Sequence, residues 1–380
     1  QARALSLALV SALAAEVPSL PAKGLAELAQ EMVRQRLTDA SLWRVLADTT
    51  LAAGDVAPAP LVTLLDAFRR ALAFAPRMDA VFANLTQRAL GQQLTSTQLV
   101  GAIGSISRLG NHLAKADQHK ALQVLLDRWV SCQAVQFEGT PAPQIIKLAV
   151  ALTNVSDFLG VRSDAFVNAT AKWALKVVTQ PDGVLSSQEL IVLLWALKEL
   201  TPLGLGPHHE LAAAALSRLR NEGKLEGYTT LRLIQMSEVL LASRHALGSI
   251  DEELLRLVAE ALSSAISDEC PPDLLTRIVA LWDQIGDASW ASSPGLADAV
   301  VGKCLALVED EGLRAEDLHP VLDTLANSSF SCTEAFSLGR GPLCQAAAAR
   351  RDAETPGLAT AIRGLALEAS PASDATGVAS

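Results

Sequence analysis

Histidine, cysteine and serine set beside acids are the raw material of most hydrolytic and metal sites, and in this chain they are scattered. The six histidines (His112, His119, His208, His209, His245 and His319) stand in no recognisable nucleophile context, and a GxSxG elbow is absent. A nucleophilic triad needs its nucleophile, base and orienting acid brought together, so the pattern predicts no enzyme of this kind. His208 and His209 are adjacent, and helix neighbours point about 100° apart. That pair therefore predicts surface residues at a helix start rather than two ligands of one metal. The five cysteines (Cys132, Cys270, Cys304, Cys332 and Cys344) are widely spaced, odd in number and contain no CxxC. Zinc modules and disulfide frameworks show short paired spacings, so reduced, mostly buried thiols are expected. The expectation is no catalytic, cofactor-binding or metal residue.

Phosphate chemistry has three candidates. Gly339-Arg340-Gly341-Pro342 starts like a glycine-rich cradle. No strand pattern precedes it, and Pro342 removes a backbone donor that a cradle needs. It reads as an inter-helix turn. Gly302-Lys303 lacks the first Walker glycine at the right distance. The doublets Arg69-Arg70 and Arg350-Arg351, with Arg34 and Arg36, could touch phosphate but read first as solvated helix edges flanked by acids. No RNA-binding residue can be assigned from the sequence. The six tryptophans (Trp43, Trp129, Trp173, Trp195, Trp282 and Trp290) lie in helical or turn patterns and read as core filling, since base stacking needs neighbouring exposed cations.

The elements that would carry any such site follow from composition and period. Of 380 residues, 50% are apolar but only 4% aromatic, and 19% are charged. With one tyrosine and few β-branched runs, the chain reads as helical rather than β. Lys and Arg number 31 against 41 Asp and Glu, a formal net charge of −10. That sign disfavours wholesale phosphate binding and docking on an anionic membrane.

One face of an α-helix brings apolar residues back at i, i+4, i+7 and about i+10. Leu99, Ile103, Ile106 and Leu109 fit this template before Gly110, and Leu190, Leu194, Leu197 and Leu200 fit it before Pro202 and Gly204. Ile145, Ala149, Leu152 and Val155 precede Gly160; Leu274, Ile278 and Leu281 precede Gly286. Leu61, Leu65, Phe68 and Ala71 fit, as do Leu318, Leu322 and Leu325; Thr230, Ile234, Ser237 and Leu240 make the weakest copy. These starts recur about every 44 residues, with a second helix in each interval: Gln118–Ser131, Ser163–Val178, His208–Arg220, Asp251–Ile266 and Leu296–Val308. Ser163 and Ser249 read as N-caps, and Pro141, Pro207 and Pro271-Pro272 as helix starts. Two helices per unit at such a period is the pattern of an all-α solenoid, here about seven helix-turn-helix repeats.

The expected organisation is an N-terminal helical cap over 1–60, a repeat array over 61–357, and a terminal helix with a loose tail over 358–380. The cap would hold helices near Leu5–Val17, Gly24–Arg36 and Ala40–Ala53. The terminal helix is read at Leu358–Ala369, with the tail at Ser370–Ser380. The apolar run Ala4–Ala15 is too short to span a bilayer and reads as part of a first buried helix. A removed presequence ahead of Gln1 would fit an organellar protein. Asn84, Asn154, Asn168 and Asn327 begin glycosylation triplets, but each sits in a helical pattern and is discounted.

The segment Glu189-Leu190-Ile191-Val192-Leu193-Leu194-Trp195-Ala196-Leu197-Lys198-Glu199-Leu200 resembles the first helix of octotricopeptide and heptatricopeptide repeats and of RAP-associated helical arrays. Ala280-Leu281-Trp282 echoes it. The resemblance implies an organellar, mitochondrial setting in RNA processing or stability, or in the mitochondrial ribosome. The chain departs from that family in its negative charge and in lacking a RAP-like α/β domain after the helices. The expected function is a non-catalytic scaffold or adaptor subunit of a large organellar assembly. Its partners would be other protein subunits, with a mitochondrial ribosome first. The alternatives are RNA binding through a local basic face and an accessory role in a respiratory or ATP synthase complex.

Overall fold

A computed structural model describes residues 12–72, 78–131, 141–161, 163–180, 185–202, 204–223, 225, 227–266, 270–286, 290, 292–309, 315–332 and 334–349. The readings at Leu5–Val17 for the most part, at Arg350-Arg351, at Leu358–Ala369 and at Ser370–Ser380 lie outside these residues. The described residues form helices and short turns and contain no strand. The fold is an all-α helical repeat, an α-solenoid, in two compact units. Unit 1 holds residues 1–185 and 196–204; unit 2 holds 186–195 and 205–380.

Unit 1 contains α1 (Ala22–Arg34), α2 (Ala40–Ala52), α3 (Pro58–Arg70), α4 (Asp79–Gly91), α5 (Ser96–Ile106), α6 (Lys115–Ser131), α7 (Ala142–Leu159) and α8 (Asp164–Val178). The helix α9 (Ser187–Leu200) is divided between the units at Trp195. Unit 2 continues with α10 (His209–Glu222), α11 (Thr230–Leu247), α12 (Glu252–Ala265), α13 (Pro272–Ile285), α14 (Pro294–Glu309), α15 (Ala315–Asn327) and α16 (Glu334–Ala349). In unit 1 the first helices of successive pairs pack in order, α1 on α3 on α5 on α7, and the second helices do the same, α2 on α4 on α6 on α8. In unit 2, α11, α13 and α15 form one layer and α10, α12, α14 and α16 the other. First helices start at residues 22, 58, 96, 142, 187, 230, 272 and 315, so the interval varies from 36 to 46 residues rather than holding near 44.

Local chemistry sets the boundaries. Asp39 accepts from the Ser41 and Leu42 amides at 3.0 Å each to open α2. Thr95 and Gln98 form a reciprocal capping box on α5. Ser163 accepts from the Phe166 amide at 3.2 Å, as expected of an N-cap. For α12 the cap is Asp251, which accepts from the Leu254 amide at 3.1 Å, and Ser249 lies outside the helix. A carboxylate accepts more strongly than a hydroxyl and suits the positive end of the helix dipole. Gly160, Gly223 and Gly248 close α7, α10 and α11 at φ of 66°, 59° and 78°, a backbone region that side chains disfavour.

The template residues form the core. Leu61, Leu65, Phe68, Ala71, Ile103, Ile106, Ile145, Ala149, Leu190, Leu194, Leu197, Ile234, Ser237, Leu240, Ile278, Leu322 and Leu325 are sealed from solvent, and Leu281 nearly so. At α13 the deeply buried first residue is Leu275; Leu274 is half-buried. Trp43, Trp129, Trp282 and Trp290 are core, with edge-to-face partners Phe68, Phe166 and Phe330 for Trp43, Trp129 and Trp290. Trp173 is half-buried, and Trp195 also departs from the core reading. Trp195 is half-buried and donates its indole N–H to Glu238 at 2.7 Å.

Arginines from one pair tie down the helix end of the preceding pair. Arg88 on α4 donates to the Ala53 and Gly54 carbonyls beyond α2, at 2.8 and 2.9 Å. Arg128 on α6 donates to the Leu90 and Gln92 carbonyls at the end of α4, at 2.6 and 3.3 Å. Carbonyls of a last helical turn have no partner inside their own helix, and a cation there also meets the negative dipole end. Gly339-Arg340-Gly341-Pro342 lies inside α16 and is not a turn. Glycine is a helix breaker by propensity, but at Gly339 a Cβ would collide with Val301 of α14, so close helix packing overrides propensity.

Candidate functional site

Three of the cations singled out by sequence, Arg34, Arg69 and Arg70, come together in unit 1; Arg36 is exposed just beyond the end of α1 and does not line their groove. The first helices there face an open groove of about 730 Å³. Its walls carry Arg34, Arg69, Arg70, Arg108 and Lys147, and its floor is Val33, Val62, Ala67, Val100, Gly101 and Gly104.

The placement is a consequence of the repeat. Counted from the N-cap residues Pro21, Ala57 and Thr95, Arg34, Arg70 and Arg108 each stand thirteen residues on. Residues at equal positions of equivalent packed helices line up, so successive pairs deliver one guanidinium each to the same edge. Lys147 stands six residues after Pro141, about two turns earlier on the same helix face of α7. The groove floor is low because Gly101 removes a side chain where a Cβ would come within 2.8 Å of Val62 Cγ1.

Charge in the groove is mostly positive. Asp66 binds Arg69 at 2.7 Å and Arg70 at 2.8 Å. Glu31 takes both arms of Arg34 at 2.8 Å, and those hydrogen bonds, with a smaller one from Gln35, hold its carboxyl below the usual range. Arg108 and Lys147 are exposed and have no ion-pair partner among the described residues. Five cations thus meet two carboxylates. The net charge of −10 hides this local excess. Unit 1 has 18 Lys and Arg against 15 Asp and Glu, a net of +3. Unit 2 has 13 against 26, a net of −13. Sequence reasoning weighed Arg34, Arg69 and Arg70 but missed Arg108 and Lys147; aligning the helices from their caps was the signal that would have found them.

On the corresponding face of unit 2 the chemistry changes. Glu238 of α11 accepts from Trp195 of α9 at 2.7 Å and from Arg277 of α13 at 2.6 Å. This acid accepts one donor on each oxygen and bridges three first helices. A smaller groove of about 410 Å³ in unit 2 is lined by Leu225, Tyr228, Leu257 and Glu260. Beside it the Ser187 hydroxyl donates to Glu222, while burial and the Glu222 charge push the Tyr228 hydroxyl up. Among the described residues no imidazole is hydrogen-bonded to this serine, whose acceptor is the Glu222 carboxylate.

The histidines are dispersed. His112 meets Asp79 at 3.0 Å, His119 meets the Leu159 carbonyl at 2.7 Å, and His209 and His245 are exposed. His208 is half-buried, and burial pushes its imidazole down. The side chain of His319 lies outside the described residues. No group of three His, Cys, Asp or Glu among the described residues is placed to hold a metal ion. Cys270 and Cys304 are buried and unbridged, and burial pushes the Cys304 thiol up to about 12. The thiols of Cys132, Cys332 and Cys344 lie outside the described residues. No described helix is long and apolar enough to cross a membrane.

No protein-family model matches the chain, and no curated protein matches it in sequence. Among solved structures it is similar to a circular tandem repeat protein with novel repeat topology and enhanced subunit contact surfaces. The two share 16% identity over 94% of this chain and 95% of the other, at a TM-score of 0.28.

Proposed function

We propose that this protein is a non-catalytic helical-repeat adaptor that holds a macromolecular partner on the exposed face of its first helices. The observation that carries the reading is the cation ladder: one repeat after another delivers Arg34, Arg70 and Arg108 to one open groove. A repeat surface of this kind binds by extended contact rather than by enclosing a small substrate. The resemblance of Glu189–Leu200 to organellar repeat helices supports a mitochondrial assembly, with the mitochondrial ribosome ahead of a respiratory or ATP synthase complex. The same groove favours a second reading, a direct grip on organellar RNA through phosphates.

The test is affinity purification of the tagged chain from its native source, with and without ribonuclease, read by mass spectrometry and RNA sequencing. Protein partners that survive ribonuclease are expected. Partners lost with ribonuclease alongside enriched RNA would replace the adaptor with the RNA reading, and recovery of neither would sink both.

A further inference from the structure

The groove has a spacing, a floor and a charge, and together they select among polymers. Packed helices lie about 8–10 Å apart, so the cations of successive first helices form a ladder with roughly that step. A polypeptide extended as a polyproline II helix advances about 3.1 Å per residue with three residues per turn, so every third residue returns to the same face after about 9 Å. Acidic side chains at i, i+3 and i+6 would meet the guanidinium groups of Arg34, Arg70 and Arg108 in turn. A nucleic-acid strand carries its charges far more densely, about one per 3.4 Å of each strand along a duplex. The floor points the same way. Val33, Val62, Val100, Gly101 and Gly104 line it together with the small polar Thr63, Thr97 and Ser105, and among the described residues no aromatic ring lines the groove to stack a base.

Building on the adaptor reading, we propose that the unit 1 groove binds an extended, acidic polypeptide segment of a partner protein, with Asp or Glu recurring every third residue and small apolar residues between. Asp66 takes part as a latch. It pairs with both Arg69 and Arg70, so their remaining donors are pre-aimed rather than free to wander. Arg108 and Lys147, unpaired among the described residues, supply the uncompensated charge that attracts the segment.

The experiment uses the full chain and three labelled probes in fluorescence anisotropy: the peptide (Glu-Val-Ala)6, a peptide of the same composition with all six glutamates in one block, and a twenty-residue oligouridylate. The spaced peptide is expected to bind several-fold tighter than the blocked one and tighter than the RNA. Arg108→Glu should weaken it by roughly tenfold, whereas Arg256→Glu on α12 of unit 2, an exposed arginine paired with Glu260, should leave it unchanged. Circular dichroism of both variants checks that the fold is kept. Equal affinity for spaced and blocked peptides, no loss in Arg108→Glu, or tighter binding of the RNA would each overturn the proposal. Ribonuclease-resistant partners recovered alongside a failed peptide assay would leave the adaptor standing and reject this occupant. Recovery of no partner would fail the adaptor itself.

Discussion

Gly101 and Gly104 stand three residues apart on α5, both facing the groove, yet a methyl group added at each should have opposite effects. At Gly104 no atom lies within 4 Å of the added Cβ. Gly104→Ala then only removes glycine's backbone freedom inside a helix, and should stabilise by about 0.5–1 kcal/mol. The same gain is available at Gly101, but there the Cβ would sit 2.8 Å from Val62 Cγ1, on a β-branched side chain with few rotamers to escape into. Forcing a methyl into such a contact costs about 1–3 kcal/mol. The balance for Gly101→Ala runs from about zero to a net loss of about 2.5 kcal/mol. Adding Val62→Ala to Gly101→Ala should remove the collision and recover most of that loss, apart from the half-buried methyls given up. For a unit of this size each kcal/mol moves the melting temperature by about 2–4 °C. Thermal melts of the two single variants and the double, followed by circular dichroism, read the three signs together. If Gly101→Ala melts at or above the parent while Gly104→Ala melts below it, the packing of α3 on α5 is wrong and so is the groove floor.

The remaining expectations bear on fold and chemistry. Leu194→Ala and Leu281→Ala, at positions 0% and 7% exposed, should each cost about 2–5 kcal/mol in urea unfolding; a loss under about 0.5 kcal/mol at both would remove the register. Asp251→Ala removes the α12 cap and a contact to Arg220, and should cost about 1 kcal/mol, against almost nothing for Ser249→Ala; equal effects would restore serine as the cap. The Cys304 thiol, raised from 9.0 to about 12, should resist iodoacetamide in the native chain at pH 8 and react after urea. Because its folded value is raised, its contribution to stability is intact below about pH 9 and falls as pH climbs towards 12. Fast native labelling of Cys304 would show that the site is open.

The helical layers were legible in the sequence because burial imposes period. Leu99, Ile103 and Ile106 recur at helical spacing since one face of α5 meets its neighbours, and all three are buried. The groove was less legible because its signal lies between repeats rather than within one. Arg34, Arg70 and Arg108 are 36 and 38 residues apart, while later pairs are longer, so a single period near 44 slides past them. Net charge averaged a basic unit with an acidic one and pointed away from any cation surface. Trp195 was misread for a similar reason: its partner Glu238 is 43 residues away, and an apolar neighbourhood in sequence says nothing of a carboxylate on the adjoining helix. Gly339 reads in sequence as part of an inter-helix turn because propensity is local, whereas its use against Val301 is tertiary.

The account stands or falls on whether partners are held at the cation ladder. The direct measurement is parallel purification, after ribonuclease, of the parent chain and its Arg108→Glu variant from the native source, with partners quantified by mass spectrometry. The account predicts a set of proteins abundant with the parent and depleted about tenfold with the variant at equal bait recovery. Equal recovery of every partner with both chains would contradict it and move the binding surface elsewhere on the repeat.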